Sequence, residues 1–204
     1  MPHLLRIDSS SRQTGSHSRA LADSAEAAWR QTHPGGTVTN RDVTDGTIPV
    51  ISEATIAGFY TPDAAKGPDE RAATALSDML IAELQAADTL LISAPIYNFA
   101  PPASLKLWID QIVRINRTFA FDGANFTGLA TPTRAILCLA YGAGGYDVGG
   151  ALEPADFLAP YLRFLLTFLG IEDVRTVTVE QTTADDATVA ANLAAAETAA
   201  RAAA

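Results

Sequence analysis

Short apolar runs alternate with longer amphipathic segments along the whole chain. Parallel strands joined by helical crossovers produce this alternation, because helices then cover both faces of the sheet. The predicted strands are residues 3–8, 37–43, 89–94, 134–140 and 174–180. The predicted helices are residues 17–31, 69–86, 104–116, 155–169 and 186–203. The pattern therefore predicts an α/β fold with a doubly wound five-stranded parallel sheet, helices on both faces, and a single domain spanning residues 1–204.

The composition of individual strands predicts their places in the sheet. Residues 89–94 and 134–140 are nearly all apolar, as expected of strands covered on both faces, whereas residues 37–43 alternate like an edge strand. In open sheets of this kind, ligands bind beyond the carboxyl ends of the strands, at the point where the strand order reverses. The loops after the first, third and fourth strands are therefore the candidate binding segments.

Charge and composition exclude several classes of function. The 204 residues carry a formal net charge of −9 with only 14 scattered basic residues, whereas nucleic-acid phosphates are bound by clustered Lys and Arg. The sequence has no apolar run of about 18 residues and no signal-peptide pattern. Its single cysteine, Cys138, lies in an apolar run where a thiol acts as a small hydrophobe. We expect a cytoplasmic protein without a nucleic-acid or membrane partner.

The loop after the first strand, SSSRQTGSHS, contains five serines and leads into a helix. Hydroxyls and unpaired backbone N–H groups at the positive end of a helix dipole bind phosphate without a lysine. Ordinary capping of the helix by Ser16 or Ser18 explains the same residues equally well. Neither a G-x-x-x-x-G-K-[ST] loop nor a G-x-G-x-x-G turn after the first strand is present, which argues against a tightly bound nucleoside triphosphate or NAD.

The loop after the third strand, PIYNFAPPA, is stiffened by three prolines. Backbone N–H groups at residues 97–99 are expected to lack ladder partners and so to be free to bind a planar heterocycle. Tyr97 and Phe99 supply flat apolar surface, and Asn98 supplies both a donor and an acceptor. The alternative is that the two aromatic rings pack beneath the loop as a small satellite core.

The loop after the fourth strand, YGAGGYDVGG, contains five glycines. Glycine lets the backbone approach a flat ligand closely, and it is equally typical of a mobile loop. By itself this loop indicates no particular ligand.

Taken together, these motifs resemble a known family. The Ser-rich first loop with SHS at 16–18, APIYNF at 94–99, LKLWID at 105–110, the Gly-rich loop and PYLRFLLTFLGI at 160–171 are similar to the FMN-dependent NADH-azoreductases, which are flavodoxin-like quinone and azo-dye reductases. The resemblance covers essentially the whole chain. It implies a flavodoxin-like fold, a bound FMN, NADH as the electron donor, and a homodimer with FMN near the interface.

The resemblance also assigns roles to individual positions. It implies that the FMN phosphate is held by Ser10, Ser16, His17 and Ser18. It implies that the isoalloxazine ring is lined by Pro95, Ile96, Tyr97, Asn98 and Phe99, and its pyrimidine end by Ala140, Tyr141, Gly142 and Ala143. Phe121 matches a position that covers the flavin from the partner subunit, so that Phe121 and Asn98 border the substrate slot.

Two positions depart from the family pattern. Ala140 and Tyr141 stand where a hydroxyl residue or Arg is common, so side-chain hydrogen bonds expected there are replaced by backbone ones or lost. Phe121 replaces a frequent Tyr, which removes a polar contact to substrate.

A bound FMN explains why no catalytic acid, base or nucleophile is recognisable, since the cofactor carries the chemistry. The three histidines are dispersed, and neither H-E-x-x-H nor G-x-S-x-G occurs, so no metal site is expected. Our hypothesis is a ping-pong reaction: NADH reduces FMN by hydride transfer and leaves, and a quinone or an aromatic azo compound then receives two electrons in the same place. Two alternatives are an FMN-binding electron-transfer or regulatory module without nicotinamide turnover, and a cofactor-free interaction protein.

Two further features bear on assembly. The helix LKLWIDQIV with Trp108, together with Phe121, predicts a buried subunit interface and an enclosed substrate slot, which favours the enzyme over the electron-transfer or regulatory module. Residues 51–70 are too long for a simple connection and are predicted to form a flap or a dimer contact. Within them, Phe59 and Tyr60 either wall the substrate pocket or pack locally on the core.

Overall fold

The computed structural model describes residues 1–204, which form seven strands and six helices. The strands are β1 (His3–Asp8), β2 (Thr37–Asp42), β3 (Thr89–Pro95), β4 (Phe119–Phe121), β5 (Phe126–Gly128), β6 (Arg134–Ala140) and β7 (Asp173–Val179). The helices are α1 (His17–Thr32), α2 (Glu53–Tyr60), α3 (Pro68–Ala86), α4 (Ala103–Ile112), α5 (Ala159–Phe168) and α6 (Asp186–Ala203). No helix has both the length and the apolar character that crossing a membrane requires.

Five strands form the main sheet in the order β2-β1-β3-β6-β7, and every neighbouring pair is parallel. The prediction of a doubly wound five-stranded parallel sheet is confirmed. The edge position of β2 and the central positions of β3 and β6 also follow the prediction, because the apolar strands lie where both faces are covered. The chain moves outward to β2 and then back across β1 to β3, so the strand order reverses between β1 and β3.

Two hydrophobic cores cover the two faces of the sheet. On one face, α1 and α6 pack through Leu21, Trp29 and a short run of alanines that includes Ala196 and Ala200. On the other face, α3, α4 and α5 bury larger side chains, among them Leu84 and Trp108. Trp108 is only 1% exposed within the single chain. The prediction that it marks a subunit interface is therefore wrong, because its ring is already used in the intramolecular core.

The helix boundaries differ from the predicted ones where side chains intervene. Helix α4 ends at Ile112, not near residue 116, because Thr118 Oγ1 donates to the carbonyl of Ile112 and accepts the N–H of Arg114. Helix α5 begins at Ala159, not at 155, since the Asp156 carboxylate accepts the N–H groups of Leu158 and Ala159 at its start.

Two elements were not predicted. Residues 51–70, predicted as a flap or dimer contact, contain α2, whose start is capped by Ser52 accepting the N–H of Thr55 at 3.1 Å. Gly58 in this helix lies so close to Thr74 of α3 that a Cβ would clash. The second element is the antiparallel hairpin of β4 and β5, which lies outside the main sheet and carries Phe121.

The hairpin is anchored to the end of α5 by close backbone contact at Gly128. A Cβ at this position would overlap the backbone of Leu169 and Gly170, and the adjacent Ala130 N–H donates to the Leu169 carbonyl at 3.0 Å. Only glycine allows this approach.

We expect Gly128→Ala to destabilise the protein by about 3 kcal/mol, because overpacking against rigid backbone cannot be relieved by rotating a side chain. Urea denaturation of the two proteins measures the difference. Gly142→Ala is the control, since its Cβ would meet only Thr183 at an ordinary 3.5 Å, and its stability should stay within about 1 kcal/mol of wild type. Equal stabilities for the two variants would contradict the tight docking of the hairpin.

Candidate functional site

A cleft opens at the carboxyl ends of β1, β3, β6 and β7, where the strand order reverses. Its volume is about 150 Å³. It is lined by Ser10, Arg12, Ser16, His17, Ser18, Pro95, Ile96, Tyr97, Ala140, Gly142, Thr182 and Thr183. Nine of these twelve residues lie at positions that the sequence assigned to ligand binding. The structure thus brings the three predicted loops to one place.

The amino end of α1 presents free donors to this cleft. Ser16 caps the helix, its Oγ accepting the N–H of Arg19 at 3.5 Å and lying 3.4 Å from Ser18 Oγ. The backbone N–H groups of His17 and Ser18 have no hydrogen-bond partner in the protein. Ser16 therefore caps the helix, and two orphan N–H groups remain at the positive end of the helix dipole, where a phosphate could be bound.

A buried ion network holds this loop in place. The Asp8 carboxylate, 2% exposed, accepts hydrogen bonds from Arg6 Nε at 2.9 Å and from Ser93 Oγ at 2.7 Å. Arg19 Nη1 lies 3.6 Å from Asp8, and its Nη2 donates to the Ser10 carbonyl at 2.8 Å. Burial alone would lower the pKa of the Arg6 guanidinium, but the charges and hydrogen bonds of Asp8 and Asp23 outweigh it and raise that pKa above its ordinary value.

The loop after β3 forms a tight two-residue turn. Tyr97 and Ala100 exchange two backbone hydrogen bonds of 3.0 and 3.1 Å, with Asn98 (φ 48°) and Phe99 (φ 71°) between them in the left-handed region. The prediction of free N–H groups holds for Asn98 and Phe99, but not for Tyr97, whose N–H donates to Ala100. Positive φ at two non-glycine residues is unusual and is often retained at functional positions.

The aromatic rings of this turn are not part of the core. Tyr97 is 39% exposed and Phe99 49% exposed, so packing beneath the loop as a satellite core does not describe them. Tyr97 lines the cleft, and its hydroxyl accepts the N–H of Ser11 at 3.3 Å. Asn98 and Phe99 lie outside the cleft, on the exposed surface beside its mouth.

The Gly-rich loop contributes less than its sequence suggested. Ala140 and Gly142 line the cleft, whereas Tyr141 and Ala143 do not. The Tyr141 side chain points into the opposite core, where its hydroxyl donates to Asp156 at 3.0 Å and burial raises its pKa. Tyr141 therefore offers the cleft no side-chain contact, which agrees with the expectation that side-chain hydrogen bonds at this position are replaced by backbone ones or lost.

Three lining residues were missed from the sequence: Arg12, Thr182 and Thr183. The threonines follow β7, whose carboxyl end meets the same edge of the sheet, and their hydroxyls donate to the carbonyls of Tyr141 and Gly142 at 3.0 and 2.9 Å. The signal available was the polar run EQTTAD after the fifth strand. Arg12 belongs to the serine loop, which the sequence had already identified as a candidate binding segment. Its positive charge adds to the positive end of the α1 dipole, where the free N–H groups lie.

The comparisons with known proteins match this geometry. A family model described as a flavodoxin-like fold matches residues 2–204. The FMN-dependent NADH:quinone oxidoreductase of Xanthobacter autotrophicus is 53% identical over 174 residues, which cover 85% of this chain and 84% of that protein. The chain belongs to the flavodoxin-like family of FMN-dependent NADH:quinone oxidoreductases. Another member, FMN-dependent NADH:quinone oxidoreductase 1 of Pseudomonas fluorescens, is 40% identical over 202 residues and spans 97% of this chain and 95% of that protein.

Solved structures support the same fold for this member of the family. The azoreductase of Bacillus anthracis str. Sterne superposes with a TM-score of 0.89 at 22% identity, covering 100% of this chain and 99% of that one. An FMN-dependent NADH-azoreductase of Bacillus anthracis str. Ames Ancestor, solved in complex with FMN, gives a TM-score of 0.84 at 22% identity, covering 98% of each chain. The fold and the family indicated by the sequence motifs are confirmed.

This family member has no activated cysteine nucleophile. Cys138 is fully buried in the core beneath α1 and α6, and burial raises the pKa of its thiol to about 12. The thiol therefore stays protonated at neutral pH and has no access to a ligand in the cleft.

Proposed function

We propose that the protein is an FMN-dependent NADH:quinone oxidoreductase that also reduces aromatic azo compounds. The observation that carries the proposal is a set of four unpaired backbone N–H groups at the edge of the sheet where the strand order reverses. Two of them, those of His17 and Ser18, lie at the start of α1, and the other two, those of Asn98 and Phe99, lie in the turn after β3. The relatives named above support it, since their names state this quinone reductase activity.

The residues at the start of α1 fit the phosphate of FMN. Ser10, Ser16 and Ser18 are each at least nine-tenths buried and bring hydroxyls to the cleft, next to the free N–H groups of His17 and Ser18. Arg12 adds a positive charge at the rim. A dianionic phosphate would satisfy donors that the folded chain leaves unpaired.

The turn after β3 fits the flavin ring. Its two free N–H groups suit the acceptor atoms along the edge of a flat heterocycle, and the exposed rings of Tyr97 and Phe99 supply apolar surface. The cleft of about 150 Å³ is smaller than the roughly 300 Å³ at which pockets for drug-sized ligands begin. We therefore place the phosphate and the ribityl chain in the cleft and the ring over the turn.

FMN would supply hydride acceptance from NADH and two-electron delivery to a quinone or an azo compound. The chain supplies orientation and fixed dipoles. Because the Tyr97–Ala100 pair locks the turn, the N–H groups of Asn98 and Phe99 are already in place when negative charge develops beside them. One aromatic surface at this turn is available to both donor and acceptor, so we propose a ping-pong order in which NADH leaves before the acceptor binds.

We propose that a second copy of the chain covers this surface, giving a cytoplasmic homodimer. Large aromatic side chains are exposed at the turn, on the hairpin, just before α5 and within α5, namely Phe99, Phe121, Phe126, Phe157 and Phe164. The Phe157 N–H donates to the Phe99 carbonyl, and Phe126 stacks with Phe121 at 4.6 Å, so the exposed rings form groups and are not scattered singly. In such a dimer Phe121 would cover the flavin of the partner subunit.

The test is to load the protein with FMN, remove oxygen, add NADH and follow the flavin absorption band. We expect the band to bleach and to return when a quinone is added. Binding of FMN without bleaching would support an electron-transfer or regulatory module instead. Failure to bind FMN would refute the proposal, because the unpaired donors would then have another purpose.

We expect Ser16→Asp to raise the dissociation constant of FMN at least about tenfold, because the phosphate would face a negative charge in place of a hydroxyl donor. Aspartate is as good an N-cap as serine, so α1 should remain intact. Fluorescence titration with FMN measures the change, and circular dichroism checks the fold.

Ser11→Asp is the matched control, since Ser11 is exposed in the same loop and does not line the cleft. Its affinity for FMN should stay near that of wild type. If both variants bind FMN as tightly as wild type does, the phosphate is not at the start of α1.

A further inference from the structure

Arg19 lies in the first turn of α1 and contacts the serine loop, but it does not line the cleft. Its side chain is 14% exposed. Its Nη2 donates to the Ser10 carbonyl and to Asp42 Oδ2, both at 2.8 Å, and its Nη1 lies 3.6 Å from Asp8. The planar, always charged guanidinium presents its donors in a fixed geometry. One side chain therefore joins the ends of β1 and β2 to the backbone of the serine loop.

The peptide unit between Ser10 and Ser11 is held on both of its sides. The Ser10 carbonyl has no hydrogen-bond donor in the protein other than Arg19. The N–H of the same peptide unit, that of Ser11, donates to the Tyr97 hydroxyl at 3.3 Å. Because the C=O and N–H groups point in opposite directions across a planar trans peptide, these two contacts fix the orientation of the unit. Loss of Arg19 would leave the carbonyl without a partner and free the unit to rotate.

The Ser10 hydroxyl depends on this orientation. Ser10 is 3% exposed and lines the cleft, and its Oγ accepts the N–H of Arg12 at 3.3 Å. No acceptor in the chain receives the proton of this hydroxyl. A serine hydroxyl can donate one hydrogen bond, so the proton is available to an anion in the cleft.

Asp42, at the end of β2, holds Arg19 from the other side. Asp42 Oδ1 accepts the backbone N–H and the hydroxyl of Thr44, at 2.9 and 2.7 Å. Asp42 Oδ2 accepts Arg19 Nη2 and also Gln13 Nε2, the latter at 3.3 Å, so the carboxylate anchors the serine loop at a second point. Burial alone would raise the pKa of Asp42, but the hydrogen bonds from Thr44 and Arg19 outweigh it and lower that pKa. Asp42 therefore remains ionised at neutral pH.

We propose that Arg19 is a positioning residue for the phosphate of FMN. Held by two carboxylates, it orients the peptide after Ser10 so that a hydroxyl donor, and not a carbonyl oxygen, faces the phosphate. A carbonyl oxygen would repel the phosphate, whereas a hydroxyl forms a charge-assisted hydrogen bond with it. The inference deepens the proposed function and rests on it, since it takes the start of α1 as the site of the phosphate. Arg19 touches no ligand, and its effect is on the preference for a flavin that carries a phosphate.

An effect of the Arg19 charge alone is the competing explanation, because a nearby cation attracts a phosphate without orienting anything. The two explanations differ in sign at Asp42. If only the electrostatic field matters, removing this negative charge tightens FMN binding. If orientation matters, the same change releases Arg19 and weakens FMN binding. In Asp42→Asn the remaining oxygen can stay with Thr44, while an amide nitrogen, which accepts no hydrogen bond, replaces the oxygen that accepts from Arg19.

The test compares the dissociation constants of FMN and riboflavin, measured by quenching of flavin fluorescence at equal salt concentration. We expect Arg19→Gln to raise the constant for FMN about tenfold and Asp42→Asn to raise it about threefold, because ordered donors to the phosphate are lost. The constant for riboflavin should not change in either variant. In Arg19→Gln, Asp8 keeps its hydrogen bonds with Arg6 and Ser93, so the fold should persist. Circular dichroism checks this.

Arg134→Gln is the matched control. Arg134 begins β6, at the edge of the sheet opposite the cleft, and it pairs with Asp173. Asp173 keeps Arg175 in this variant, just as Asp8 keeps its other arginine when Arg19 is replaced. The ratio of the riboflavin constant to the FMN constant should remain that of wild type. A purely structural Arg19 would behave in the same way, with a lower midpoint of thermal unfolding and an unchanged ratio.

Three results would overturn the inference: unchanged FMN binding in Arg19→Gln, an equal loss of affinity for both flavins in that variant, or tighter FMN binding in Asp42→Asn. The second result would show a general structural role, and the third an effect of charge alone. In a wild-type protein that binds FMN and whose flavin is bleached by NADH, each of them refutes the inference and leaves the proposed function intact. Failure of the wild type to bind FMN would refute both.

Discussion

The Asp8 carboxylate at the end of β1 is buried between two arginines, and the geometry of the ligand-binding edge depends on it. Arg6 and Ser93 fix the carboxylate to the sheet, while Arg19 connects it to α1 and to the Ser10 carbonyl. Removing one partner of such a buried pair typically costs about 3–5 kcal/mol, because the remaining charge is left uncompensated. The network therefore fixes the start of α1, with its free N–H groups, relative to β3 and its turn.

The features that could be predicted from the sequence are those that depend on consecutive residues. Buried strands such as 134–140 are unbroken apolar runs, and the serine loop precedes a helix, so both the sheet and the cleft followed from local pattern. The hairpin of β4 and β5 is only three residues per strand and depends on docking at Gly128, which no local pattern reveals. The direction of the Tyr141 side chain could not be predicted from the loop motif, because alternation along the end of β6 decides which face of the sheet a side chain takes.

The two groups of positive charge in the structure are arranged differently. At α1, neutral hydroxyls and backbone N–H groups at the end of a helix dipole lie beside the single charge of Arg12. At the α2–α3 connection, the full charges on Lys66, Arg114 and Arg117 are already partly balanced within the chain by Asp63 and Asp78. The backbone N–H donors at α1 are left without partners in the folded chain, which is why we place the phosphate there.

The most direct measurement of the central claim is the dissociation constant of FMN compared with that of riboflavin, which lacks only the phosphate. If the start of α1 binds the phosphate, FMN should bind at least about 100-fold more tightly, since charge-assisted hydrogen bonds contribute about 1.5–3 kcal/mol each and 1.4 kcal/mol corresponds to tenfold in affinity. Quenching of flavin fluorescence at equal salt concentration measures both constants. Equal affinities would contradict the account, because the free donors of His17 and Ser18 would then contribute nothing to binding.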